Sequence, residues 1–121
     1  MFGGDQQPIS PIAIMDNHTF TIGYEEFTVL HTPGHSEGSI CLHNENNGIL
    51  VCGDLIFANG GVGRWDLPGG DLEKLYHSVG QIMKLDVHKI YPGHGPIVTD
   101  NAKSHIDSSY RSLKNYMYHE S

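Results

Sequence analysis

From His18 onward the chain alternates apolar and polar positions in short runs. Thr19-Phe20-Thr21-Ile22 alternates, Gly23 interrupts, and Phe27-Thr28-Val29-Leu30-His31 resumes the alternation. That pattern predicts a β-hairpin turning near Gly23-Tyr24-Glu25. Ser39–His43 predicts a third strand, and the Asn44–Gly48 turn leads into a fourth at Ile49–Cys52. The fourth is an unbroken apolar run, as expected of a strand buried on both faces. Ala58–Gly70 holds glycines at 60, 61, 63, 69 and 70 and predicts a loop. The period then changes. Leu72, Leu75, Val79 and Ile82 fall at helical spacing, with Asp71 and Glu73 suited to the positive end of the helix. Val87–Tyr91 predicts a short strand, stopped by Pro92-Gly93. A last helix, capped by Thr99 or Asp100, carries an apolar stripe of Ile106, Tyr110, Leu113 and Met117. Residues 1–17 are rich in Gly, Pro and Gln, and Pro8 and Pro11 exclude a central strand, so an extended lead-in is expected there.

The order of strands, helix, strand, helix predicts a single α/β domain over residues 1–121, with a mixed sheet and helices on one face. The 121 residues suffice for one core. Seven Lys and Arg against fourteen Asp and Glu, for a net charge of −7, argue against a nucleic-acid partner. No apolar run approaches the ~18 residues of a membrane span, and the first residues lack the pattern of a secretory signal. The two cysteines, Cys41 and Cys52, lie in apolar surroundings and are expected as buried thiols in a reducing, cytoplasmic setting.

Nine histidines are the unusual count. Three segments share one design, a strand followed at once by glycine and a ligand-type side chain: His31-Thr32-Pro33-Gly34-His35, Val51-Cys52-Gly53-Asp54 and Tyr91-Pro92-Gly93-His94. Glycine lets the chain turn sharply there, and ligands gather at strand ends of open α/β sheets. Two imidazoles and a carboxylate delivered this way suit Zn, Fe or Mn. The alternative is three ordinary turns at a sheet edge. Other residues have quieter expectations. Arg64 and Asp66 are expected to form an internal ion pair that braces their loop, with substrate contact as the alternative. Ser36 and Ser39 are expected to bond the turn, and Tyr91 to join the core.

The run His-Thr-Pro-Gly-His-Ser-Glu-Gly-Ser at 31–39, the Gly53-Asp54 pair, Tyr-Pro-Gly-His-Gly-Pro at 91–96 and the loop 63–71 (Gly-Arg-Trp-Asp-Leu-Pro-Gly-Gly-Asp) resemble the motifs of metallo-β-lactamase-fold hydrolases. The loop is similar to that of the glyoxalase II-like branch, which includes thioester hydrolases and persulfide dioxygenases. The resemblance implies the C-terminal half of an αββα sandwich. It also implies His35 as ligand to a first metal, His94 to a second, and Asp54 bridging both and serving catalysis. A small-molecule thioester would be the substrate, attacked by metal-activated water, with Zn (or Fe or Mn) as one or two ions. An iron-dependent persulfide dioxygenase is the alternative within the same scaffold. The family's principal motif, His-x-His-x-Asp-His, has no counterpart, since no two histidines here are two apart. Half of the ligands are therefore missing from this chain. Its sheet would keep an apolar face open, with Val29, Ile40, Leu42 and Leu50 in need of cover, for which self-association or pairing with a separate N-terminal half is expected. A catalytically inactive fragment that serves as an oligomerisation module is the reading from another class.

Overall fold

A computed structural model describes residues 17–119; the expected lead-in, apart from Asn17, lies outside the described residues. Among the described residues there are seven strands: β1 Thr19–Ile22, β2 Glu25–His31, β3 Ile40–Asn44, β4 Ile49–Gly53, β5 Ile56–Phe57, β6 Gly61–Val62 and β7 Lys89–Pro92. Two helices follow the predicted places, α1 at Leu72–Ile82 and α2 at Ala102–His119. The main sheet has the order β1-β2-β3-β4-β7. Its first four strands pair antiparallel and β7 lies parallel to β4, which makes the sheet mixed. The fold is thus the expected α/β arrangement.

Alternation decides which residues face the helices. Leu30, Cys41, Leu50, Cys52 and Ile90 point to one side and pack with Leu75, Val79, Ile82, Ile106 and Leu113 in a single cluster. Helix α1 starts where its sequence can supply a cap: the Asp71 carboxylate accepts the Lys74 N–H at 2.9 Å. Its stripe of Leu75, Val79 and Ile82 is fully buried. At its far end Lys103 Nζ donates to the Met83 and Leu85 carbonyls at 2.7 and 3.0 Å, closing acceptors that a helix end leaves open. Burial pushes the Cys41 thiol up to about 12 and the Cys52 thiol up to about 11, with hydrogen bonds to Thr32 and Ile56 opposing it only in part. Both cysteines are free and buried, as expected.

Several expectations need correction. Strand β4 is not buried on both faces: Leu50 and Cys52 are buried, whereas Ile49, Val51 and Gly53 are only half-buried. Tyr91 is not in the core but is 36% exposed, because its register partner is Val51 and both point away from the helices. The loop 58–70 is partly ordered as the β5–β6 hairpin around a 3-10 turn at Ala58–Gly60. Helix α2 begins after Asn101, not at Thr99 or Asp100; Asn101 takes a positive φ of 55° and its carbonyl accepts the Ser104 and His105 amides.

The side of the sheet away from the helices carries Phe20, Phe27, Val29, Ile40, Leu42, Val51 and Tyr91 by the period-2 rule. Phe20 and Phe27 stack with ring centroids 5.9 Å apart. Of these only Val29 is buried, while Ile40, Leu42 and Val51 remain half-buried. Leu50, expected among the residues left in need of cover, belongs instead to the helix side.

Candidate metal centre

Strands β2, β4 and β7 run in the same direction. β2 and β4 are each antiparallel to β3, and β7 is parallel to β4. Their C-terminal ends therefore lie along one rim, which is where His35, Asp54 and His94 follow. A backbone bond from the Gly93 N–H to the Gly53 carbonyl, 2.6 Å, ties two of these ends together. The third is tied to α1. The Gly34 carbonyl accepts the Asp71 N–H at 2.7 Å, and Ser78 Oγ donates to the Pro33 carbonyl at 2.7 Å. Gly34 has φ 139°, and a side chain there would overlap the Leu75 backbone, so only glycine lets the loop sit this close to the helix.

Asp54 is the meeting point. His94 Nδ1–H donates to Asp54 Oδ1 at 2.8 Å, and His35 Nε2 stands 3.7 Å from Asp54 Oδ2. Each carboxylate oxygen thus faces one imidazole. His35 Nδ1 lies 2.9 Å from the Arg64 carbonyl oxygen. A carbonyl only accepts, so Nδ1 carries the proton and Nε2 is the nitrogen turned toward Asp54. His35 and Asp54 are about one-third exposed and His94 is 79% exposed, so the rim is open to solvent.

Nitrogen and carboxylate oxygen are the donors that Zn and Fe take, so the residues fit such ions in kind. They fall short in number. Catalytic zinc takes three protein ligands, and each side of Asp54 here offers one imidazole and one oxygen. Among the described residues no three His, Cys, Asp or Glu side chains gather so that they could hold one ion. The sequence brings the three groups to one rim but does not build a closed cage from them.

Arg64 and Asp66 form the expected pair, Nε to Oδ1 3.1 Å and Nη2 to Oδ2 2.9 Å. It is exposed at 65% and 60%, not internal. The Arg64 guanidinium beside it holds the Asp66 carboxyl below its ordinary range. Ser36 and Ser39 bond one another at 2.8 Å within the turn, and His31 Nε2–H donates to the Glu37 carbonyl. Sequence reasoning missed the part played by the Arg64 carbonyl, because main-chain oxygens leave no residue-type signal.

A sequence model of the Metallo-beta-lactamase superfamily matches residues 11–94. The chain belongs to this superfamily. A "Probable metallo-hydrolase" of Methanocaldococcus jannaschii is 39% identical over 104 residues, covering 80% of this chain and 48% of that protein. The hydroxyacylglutathione hydrolase of Francisella tularensis subsp. novicida is 38% identical over 84 residues, covering 69% of this chain and 33% of that enzyme. A protein crystallised in a di-iron-bound form superposes with a TM-score of 0.56 at 42% identity, covering 60% of this chain and 37% of that one. This superfamily member therefore spans half or less of the length of these relatives. Among its described residues no helix is long and apolar enough to cross a membrane.

Proposed function

We propose that this chain supplies the Asp54 side of a metal-dependent hydrolase centre of the glyoxalase II-like kind, acting on a small-molecule thioester. His35 Nε2 and Asp54 Oδ2 would hold a first ion, and His94 with Asp54 Oδ1 a second. Bound there, such an ion lowers the pKa of its water toward 7 and polarises a carbonyl. The chain's own residues orient the donors: Asp54 holds His94 through a hydrogen bond, and the Arg64 carbonyl holds His35 with its proton on Nδ1. The remaining ligands would come from a segment or partner chain seated on the apolar sheet face. The observation that carries this reading is the meeting of His35 and His94 on opposite oxygens of one carboxylate. The likeness to a hydroxyacylglutathione hydrolase supports the substrate class, and the likeness to a di-iron protein supports the ion type.

The test is metal content after dialysis of the purified chain against zinc, ferrous iron or cobalt. Near-stoichiometric metal that is lost in His35→Ala and Asp54→Asn supports the proposal. Absence of metal under all three conditions favours the second reading, an inactive module that serves association. That reading has its own support in the half-buried Ile40, Leu42 and Val51. Mass measurement in solution tests the association itself; a stable monomer with no bound partner refutes it.

A further inference from the structure

Helix α2 lies wholly beyond residue 94, where the superfamily match ends, yet it touches the loop after β4 at three places. The Asn59 N–H donates to His105 Nδ1 at 2.9 Å. Ser109 Oγ, fully buried, donates to the Gly61 carbonyl at 2.9 Å. Trp65 meets Tyr116 edge to face, with ring centroids 4.9 Å apart at 62°. Positions 105, 109 and 116 are separated by four and seven residues, which places them within about 40° of one another around a helix of 3.6 residues per turn. The loop also runs hard against the helix: a Cβ at Gly60 would come 3.2 Å from Ser108 Cβ. Between the Ser109 and Tyr116 attachments the loop presents the Arg64 carbonyl to His35 Nδ1.

We propose that α2 is a positioning element whose stripe of His105, Ser109 and Tyr116 fixes the orientation and tautomer of His35 through the Arg64 carbonyl. A histidine ring free in water prefers its proton on Nε2. Here the proton must stay on Nδ1 for Nε2 to present a lone pair toward Asp54. The helix thus acts on the rim through the loop. The use of that lone pair toward a metal rests on the proposed function; the tautomer does not.

The experiment is long-range proton–nitrogen NMR of the metal-free full chain, with the His35 signals assigned by their loss in His35→Gln. The wild type is expected to show His35 almost wholly protonated on Nδ1. Tyr116→Ala and Ser109→Ala are expected to lower the ratio of Nδ1–H to Nε2–H by roughly tenfold, and to weaken cobalt binding by about 10-fold or more. Tyr116→Phe, which keeps the ring, and Lys114→Ala, an exposed residue of the same helix, are expected to match the wild type. Ser109→Ala removes one oxygen and serves where Tyr116→Ala fails to fold by circular dichroism. Wild-type tautomer ratios in the folded variants would overturn the proposal. A shifted tautomer in a chain that binds no cobalt in any form would leave it standing while refuting the metal centre.

Discussion

Replacing Gly93 by alanine strikes the rim with one methyl group. The new Cβ would lie 2.6 Å from Asp54 Oδ1, against a floor of about 3.0 Å for real Cβ contacts. The Gly53 carbonyl carbon and oxygen stand at 3.1 and 3.2 Å, so the backbone side is already tight. The carboxylate is the mobile partner and must retreat by at least 0.4 Å, the difference between 3.0 and 2.6 Å. Its 2.8 Å bond from His94 would then pass the ~3.2 Å limit of a good N–H···O contact. The stability cost is that of one partly exposed bond plus mild crowding, about 1 kcal/mol, or a fall of roughly 4 °C in Tm for a domain of this size. Gly38→Ala is the control, since nothing lies within 4 Å of its Cβ. It is expected to leave Tm unchanged or raise it slightly by restricting the unfolded chain. Calorimetry and the nitrogen shifts of His94 together decide. Gly93→Ala is expected to lose the Nδ1–H signature of His94 while the protein stays folded. If Gly93→Ala matches Gly38→Ala in both Tm and the His94 shifts, the steric reasoning is wrong.

Other outcomes follow from single contacts. Asp71→Ala removes the cap of α1 and is expected to cost about 1 kcal/mol by denaturant titration. Leu113→Ala empties a fully buried position on the inner face of α2 and is expected to cost about 2–5 kcal/mol, read by the same titration. The buried thiols make stability fall in alkali. Their folded pKa values, raised to about 12 and about 11, exceed the ordinary 9.0, so the unfolded chain releases protons first. The contribution is complete below pH 9 and is lost as pH rises through 11 to 12; Cys41→Ala, compared across that range, should show a flatter profile. The Asp66 carboxyl works in the opposite sense. Its lowered pKa contributes only above the ordinary value of 3.8 and is lost as pH falls below it, so Arg64→Met should lower a neutral melt slightly at most and leave a strongly acid one unchanged.

Much of the architecture was legible because side-chain type tracks local geometry. Alternation around Thr19–His31, the acids Asp71 and Glu73 and the Leu75-Val79-Ile82 spacing each locate an element within a residue or two. The sidedness of β4 was not legible, since Ile49, Leu50, Val51 and Cys52 are all apolar and only the identity of the covering layer separates them. The placement of Tyr91 failed for the same reason. The rim residues stood out because glycine beside His35, Asp54 and His94 marks a sharp exit from a strand. What held them did not, because the Arg64 carbonyl and the Gly93–Gly53 bond are main-chain contacts across 29 and 40 positions, and composition carries no trace of them.

The parallel pairing of β4 with β7 has a consequence for how the rim comes into being. Asp54 and His94 stand side by side only after the whole span between Gly53 and Lys89, α1 included, has folded back on itself. Closing so long an excursion is entropically costly and tends to come late on the way to the native state. A chain that has not yet closed this span lacks the pair. An ion captured there would therefore favour the finished molecule alone, and its retention would report complete maturation of the chain.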